Sequence, residues 1–79
     1  MNRVHVLEKL RSAYPAYRVW AENEPGGQTR FYARDDKAGV QHSFAPSDSW
    51  LTAIKERTTS PEEASEFIAS AVKNAFGPI

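Results

Sequence analysis

The stretch "RVWAENEPGGQTRFYAR", residues 18–34, carries a period-two pattern on either side of a proline and two glycines. Tyr17, Val19 and Ala21 alternate with Arg18, Trp20 and Glu22, and Thr29, Phe31 and Ala33 alternate with Arg30, Tyr32 and Arg34. Alternation of this kind marks half-buried strands, so the segment reads as a hairpin. Its loop length decides which residues share a face, because a slip of one residue turns every side chain to the other side of the sheet.

Three loops are to be weighed. A turn of Gly26 and Gly27 alone sets Glu22 opposite Phe31 and puts a carboxylate on the apolar side, where an unpaired charge is costly. A turn of Pro25 and Gly26 leaves an arginine on each face. A loop of Pro25, Gly26 and Gly27 sorts the faces, with proline pre-set for the first turn position and Gly27 supplying a left-handed residue. This last register is the expectation. Val19 then opposes Ala33 and Ala21 opposes Phe31 on one face, while Trp20 opposes Tyr32, Glu22 opposes Arg30 and Arg18 opposes Arg34 on the other.

Working outward, Val40, His42 and Phe44 alternate with Gln41 and Ser43, which predicts a third strand. A loop of Asp36 to Gly39 pairs Phe31 with Phe44 and Ala33 with His42, preserving the sorting. Before the hairpin, Val4, Leu7, Leu10 and Tyr14 recur at helical spacing, and Pro15 closes that helix. After it, Ser47 or Asp48 caps a short helix with Trp50, Leu51 and Ile54 on one side. "TTSPEE" then starts a last helix, with Ser60 as cap, Pro61 at the first helical position and Glu63 reaching back as a capping box. Ala64, Phe67, Ile68, Ala71, Val72, Ala75 and Phe76 form its stripe, ended by Gly77 and Pro78.

These elements predict one α+β domain over residues 1–79: a three-stranded antiparallel sheet in α-β-β-β-α-α order with helices packed on one face. Phe67, Ile68, Val72 and Phe76 are expected to meet Phe31, Val19 and Phe44, with Leu7 and Leu10 alongside and Trp50 in the core. The other sheet face is left uncovered. A chain of 79 residues buries too little surface to divide its core.

Composition narrows the function. Ten basic residues balance ten acidic ones, so bulk charge draws the molecule neither to nucleic acid nor to anionic lipid. With no cysteine there is no disulfide framework or thiolate chemistry, which suggests a reducing, cytoplasmic setting. No apolar run has the length of a membrane span. His5 and His42 are the only histidines, and with no cysteine or carboxylates at ligand spacing a metal site is not expected. Ser43 beside His42 lacks the glycine frame of a nucleophile elbow, and Asp35 and Asp36 read as turn chemistry. "PGG" opens no helix and is no phosphate loop. No catalytic constellation or cofactor is predicted.

The uncovered face is the feature with binding chemistry. Trp20 and Tyr32 lie side by side, ringed by Arg18, Arg30 and Arg34. Exposed aromatics beside arginine anchor protein interfaces and also stack single-stranded nucleic acid. The same pair also stabilises a solvated sheet with no partner at all. Arg18 opposite Arg34 counts against that bland reading, unless an anion or Asp35 relieves the repulsion.

The α-β-β-β-α order resembles that of double-stranded-RNA-binding domains and of small toxin ribonucleases of that fold. The resemblance rests on element order. The helix beginning at Ser60 opens with Pro61, Glu62 and Glu63 where the RNA-binding domains place lysines, and "GVQHSF" around His42 departs from the Gly-Ser-His context of the toxins. No functional residue carries over.

The sequence thus points to a non-enzymatic protein–protein interaction module, a small bacterial or phage-type regulatory or inhibitory protein. Its anchors are Trp20 and Tyr32 and its polar rim Arg18, Arg30 and Arg34, with monomer and homodimer both open. RNA or single-stranded DNA on the same face is the alternative.

Overall fold

The computed structural model describes residues 3–77. Along the chain run α1 (Arg3–Ala13), β1 (Arg18–Asn23), β2 (Thr29–Asp35), β3 (Val40–Phe44), α2 (Asp48–Arg57) and α3 (Pro61–Phe76). The strands make one antiparallel sheet in the order β1-β2-β3, so the expected α+β architecture is the one observed.

The first hairpin closes on three residues. The Glu24 N–H donates to the Gln28 carbonyl at 2.7 Å and the Gly27 N–H to the Glu24 carbonyl at 2.9 Å. Gly27 takes φ +84°, a conformation that a Cβ disfavours, and this lets the chain turn back in the expected register. Val19 pairs with Ala33, Trp20 with Tyr32, Ala21 with Phe31 and Arg18 with Arg34. At the second turn the Asp35 carboxylate accepts the main-chain N–H groups of Lys37 and Ala38 at 3.0 and 3.3 Å. Phe31 accordingly meets Phe44, and Ala33 meets His42.

Serines start two helices. Ser47 Oγ accepts the Trp50 N–H and Ser60 Oγ the Glu63 N–H, each at 3.2 Å. Glu63 reaches one residue further back than a capping box: its carboxylate accepts the Thr59 N–H at 3.2 Å and the Thr59 hydroxyl at 2.9 Å. Either way an orphan donor ahead of the helix is satisfied.

The core lies under one sheet face. Val19, Phe31 and Ala33 pack with Val6 and Leu10 of α1 and with Ile68, Ala69, Val72 and Phe76 of α3. Two helix phases differ from expectation. Val6, not Val4, is buried in α1, and Val4 is 59% exposed. The two lie about 200° apart on a helix, and α1 must turn one side to both β1 and α3. In α3, Phe67 is 51% exposed and Ala75 is also exposed, while Ser65 is fully buried. Because α1 flanks α3, the α3 face is centred between the sheet and that helix, which rotates Phe67 out and Ser65 in. Burial of Ser65 is tolerable since its hydroxyl donates to the Pro61 carbonyl at 2.8 Å. Trp50 and Leu51 are half-buried against the core edge, so Trp50 is less enclosed than expected.

If the Gly27 conformation fixes the hairpin, Gly27→Ala should lower stability by about 1–2 kcal/mol, although nothing crowds the new methyl. Gly26 has no positive φ, so Gly26→Ala should leave stability unchanged or raise it by up to about 1 kcal/mol. Urea denaturation of the two variants measures the difference; equal losses would refute the assignment.

Candidate functional site

Strand alternation places Arg18, Trp20 and Glu22 of β1, Arg30, Tyr32 and Arg34 of β2, and Gln41 and Ser43 of β3 on the sheet face away from the core. No described helix covers this face. Arg18, Glu22, Gln41 and Ser43 are exposed, whereas Trp20, Arg30, Tyr32 and Arg34 half-bury one another.

At its centre the Trp20 and Tyr32 rings stack almost in parallel, with centroids 5.0 Å apart and planes 7° from each other. Their register position opposite one another brings the rings together, and the parallel arrangement adds to what burial alone contributes. The Arg18 guanidinium carbon lies 5.2 Å from the Trp20 ring centroid, a cation–π contact. Burial among these groups, and secondly the Glu22 carboxylate, pushes the Tyr32 phenol above its ordinary pKa.

Carboxylates close both ends. Arg18 and Arg34 face each other across β1 and β2, and both ion-pair with Asp36 Oδ1, at 3.2 and 3.0 Å. The like-charge repulsion is thus relieved by Asp36. Asp35, the neighbour expected to do so, is occupied by the turn N–H groups. Arg34 also donates to Gln41 Oε1 at 3.3 Å. At the other end Arg30 ion-pairs with Glu24 and donates to Ser43 Oγ at 3.3 Å. That carboxylate holds the Arg30 guanidinium more firmly protonated.

All five residues singled out from the sequence therefore meet on one face. Sequence reasoning did not include Glu24 and Asp36 in it. Glu24 continues the outward parity of Trp20 and Glu22 and was readable in principle; Asp36 lies in a turn, where strand parity gives no direction.

Other chemically interesting groups lie apart. His42 is on the core side of β3, its ring centroid 6.2 Å from that of Phe76, and its Nε2 is buried without a hydrogen-bond partner. Between α1 and α3 an open hollow of about 700 Å³ is lined by His5, Glu8, Glu62 and Lys73, among others, and is bridged by Lys9 and Glu66 at 3.1 Å. Among the described residues no three histidine or carboxylate side chains are grouped to hold a metal ion, and no helix is long and apolar enough to cross a membrane. The chain matches no protein-family model, no curated protein and no solved structure, so the shared element order with RNA-binding domains stays a likeness of order alone.

A double-mutant cycle of Trp20→Ala and Tyr32→Ala should give a coupling of about 0.5–1.5 kcal/mol, and near-zero coupling would mean that the rings do not stack in solution. The raised Tyr32 pKa also has a sign. An unfolded tyrosine ionises near pH ~10 while the folded phenol resists, so this contribution is complete below that pH and is lost as pH rises through the folded value. Absorbance titration of the wild type against Tyr32→Phe should show that the missing phenol is one that ionises above the unfolded value of about 10.

Proposed function

We propose that this protein is a non-enzymatic interaction module that engages another protein through the outer sheet face. Trp20 and Tyr32 are the anchors, and the guanidiniums of Arg18, Arg30 and Arg34 with their carboxylates form the rim. The observation that supports this reading is the parallel ring stack on a face that no described helix covers. Rigid aromatic surface surrounded by arginine is the composition of binding hot spots, because such side chains lose little entropy when a partner covers them.

The ion pairs favour a protein over a nucleic acid as partner. Each rim arginine already contacts a carboxylate, and phosphate would have to displace Asp36 or Glu24 to reach it. The rings also spend stacking surface on each other that a base would need. A protein surface can instead lay apolar area over the rings and hydrogen-bond the rim without breaking those pairs.

Affinity capture from a lysate of the source cell, with and without nuclease, tests the reading. The expected outcome is a protein retained in both conditions and lost at least tenfold with the Trp20→Ala, Tyr32→Ala double variant, at unchanged far-ultraviolet dichroism. Undiminished retention would remove the face from consideration, and loss on nuclease treatment would turn the assignment to nucleic acid.

A further inference from the structure

The outer face joins two aromatic rings to three arginines, the side chains by which single strands of nucleic acid are held, rings for the bases and guanidiniums for the phosphates. It also carries three carboxylates, Glu22, Glu24 and Asp36, so its formal charge is balanced. Where those carboxylates sit decides which guanidiniums stay open to phosphate.

The carboxylates are not equivalent. Glu24 pairs with one arginine, Arg30, six residues along the same hairpin. Asp36 pairs with two: a single atom, Oδ1, accepts from Arg18 Nη2 at 3.2 Å and from Arg34 Nε at 3.0 Å. These guanidiniums come from facing positions on β1 and β2, and that of Arg18 lies over Trp20 at 5.2 Å from the ring centroid. One carboxylate thus occupies, beside the ring stack, the place where two arginines would take a phosphate. The turn puts it there. Asp35 spends its carboxylate on the Lys37 and Ala38 N–H groups and its carbonyl on the Gly39 N–H at 2.8 Å, which closes the turn and leaves the Asp36 side chain to reach over the face. Ion pairs this exposed hold little energy. What Asp36 contributes is local charge, which repels a phosphate at the point where the arginines attract it.

We propose that Asp36 is the specificity-determining residue of the outer face, an internal stand-in for phosphate that keeps single-stranded nucleic acid off a surface otherwise composed to bind it. Without its charge the face holds three guanidiniums against two carboxylates, and Arg18 and Arg34 lose their counterion together. Two like charges directly opposite one another then favour an external anion that bridges them. The arginine over Trp20 is released at the same time, which opens that ring to a base. Loss of Glu24 frees only Arg30, which still donates to Ser43 Oγ, so the same change there has a smaller effect. The inference rests on the proposed function in taking nucleic acid not to be the partner, and it goes further in naming the residue that enforces the choice.

The test titrates a fluorescently labelled oligothymidylate decamer with wild-type protein and with Asp36→Asn, followed by anisotropy. Asp36→Asn should bind at least tenfold tighter than wild type, with a log–log salt slope of about −1.4, as for two phosphate contacts to a single strand. Asp36→Glu keeps the charge and should bind as weakly as wild type. Glu56→Gln, on α2 away from the sheet, changes net charge equally and should also bind weakly; a matching gain there would reduce the effect to overall charge and overturn the proposal. Asp36→Ser is the second neutral variant, since serine also suits a turn, and should show the same gain. No gain in a neutral variant that keeps its far-ultraviolet dichroism would overturn the proposal and leave the protein-partner reading standing, and unfolding of both would make Asp36 a structural residue and overturn it as well. Tight, salt-sensitive binding by the wild type itself would instead remove the protein-partner reading and this inference with it.

Discussion

The left-handed conformation of Gly27 is the constraint on which the rest depends. It sets a three-residue loop, the loop sets the pairing of β1 with β2, and the pairing decides the content of both sheet faces. With a turn of Gly26 and Gly27 alone, Glu22 would lie opposite Phe31 on the apolar side, and with a turn of Pro25 and Gly26 each face would hold an arginine. A single backbone torsion thereby separates a hydrophobic layer from a layer of rings, guanidiniums and carboxylates.

The two faces hold together by different physics. Beneath the sheet, Phe31, Leu10, Ile68 and Val72 are sealed from water, and apolar area removed from solvent is the dominant favourable term. Above it, each contact is worth little alone, since half-exposed ion pairs contribute about 0–1 kcal/mol. Their effect is geometric. Asp36 lets Arg18 and Arg34 face one another, Arg18 sits over Trp20, and Trp20 is held flat against Tyr32. The aromatic surface is ordered by these contacts within the fold itself.

The edge of the sheet is governed by a third consideration, width. Three helices cannot be matched by three strands, and the surplus lies under β3, where the main chain is also unpaired. Proteins commonly shield such edges with short strands or charge, and β3 is only five residues long. The half-buried Trp50 and Leu51 show the same incomplete enclosure around α2.

Much of this was legible in the amino-acid sequence. Period-two alternation, the three loop residues, and the serines before α2 and α3 determined the elements, the register and the grouping of Trp20 and Tyr32 with three arginines, because strand parity and capping act over a few neighbouring residues. The phase of the helices was not so determined. The apolar stripes of α1 and α3 are wider than the side each can bury, and only the packing of α1 beside α3 chose Val6 over Val4 and Ser65 over Phe67. Nor could sequence order show that Asp36 serves both arginines, or that the helical layer overhangs β3. Those depend on distances between elements far apart in the chain, which local patterning does not encode and tertiary packing fixes.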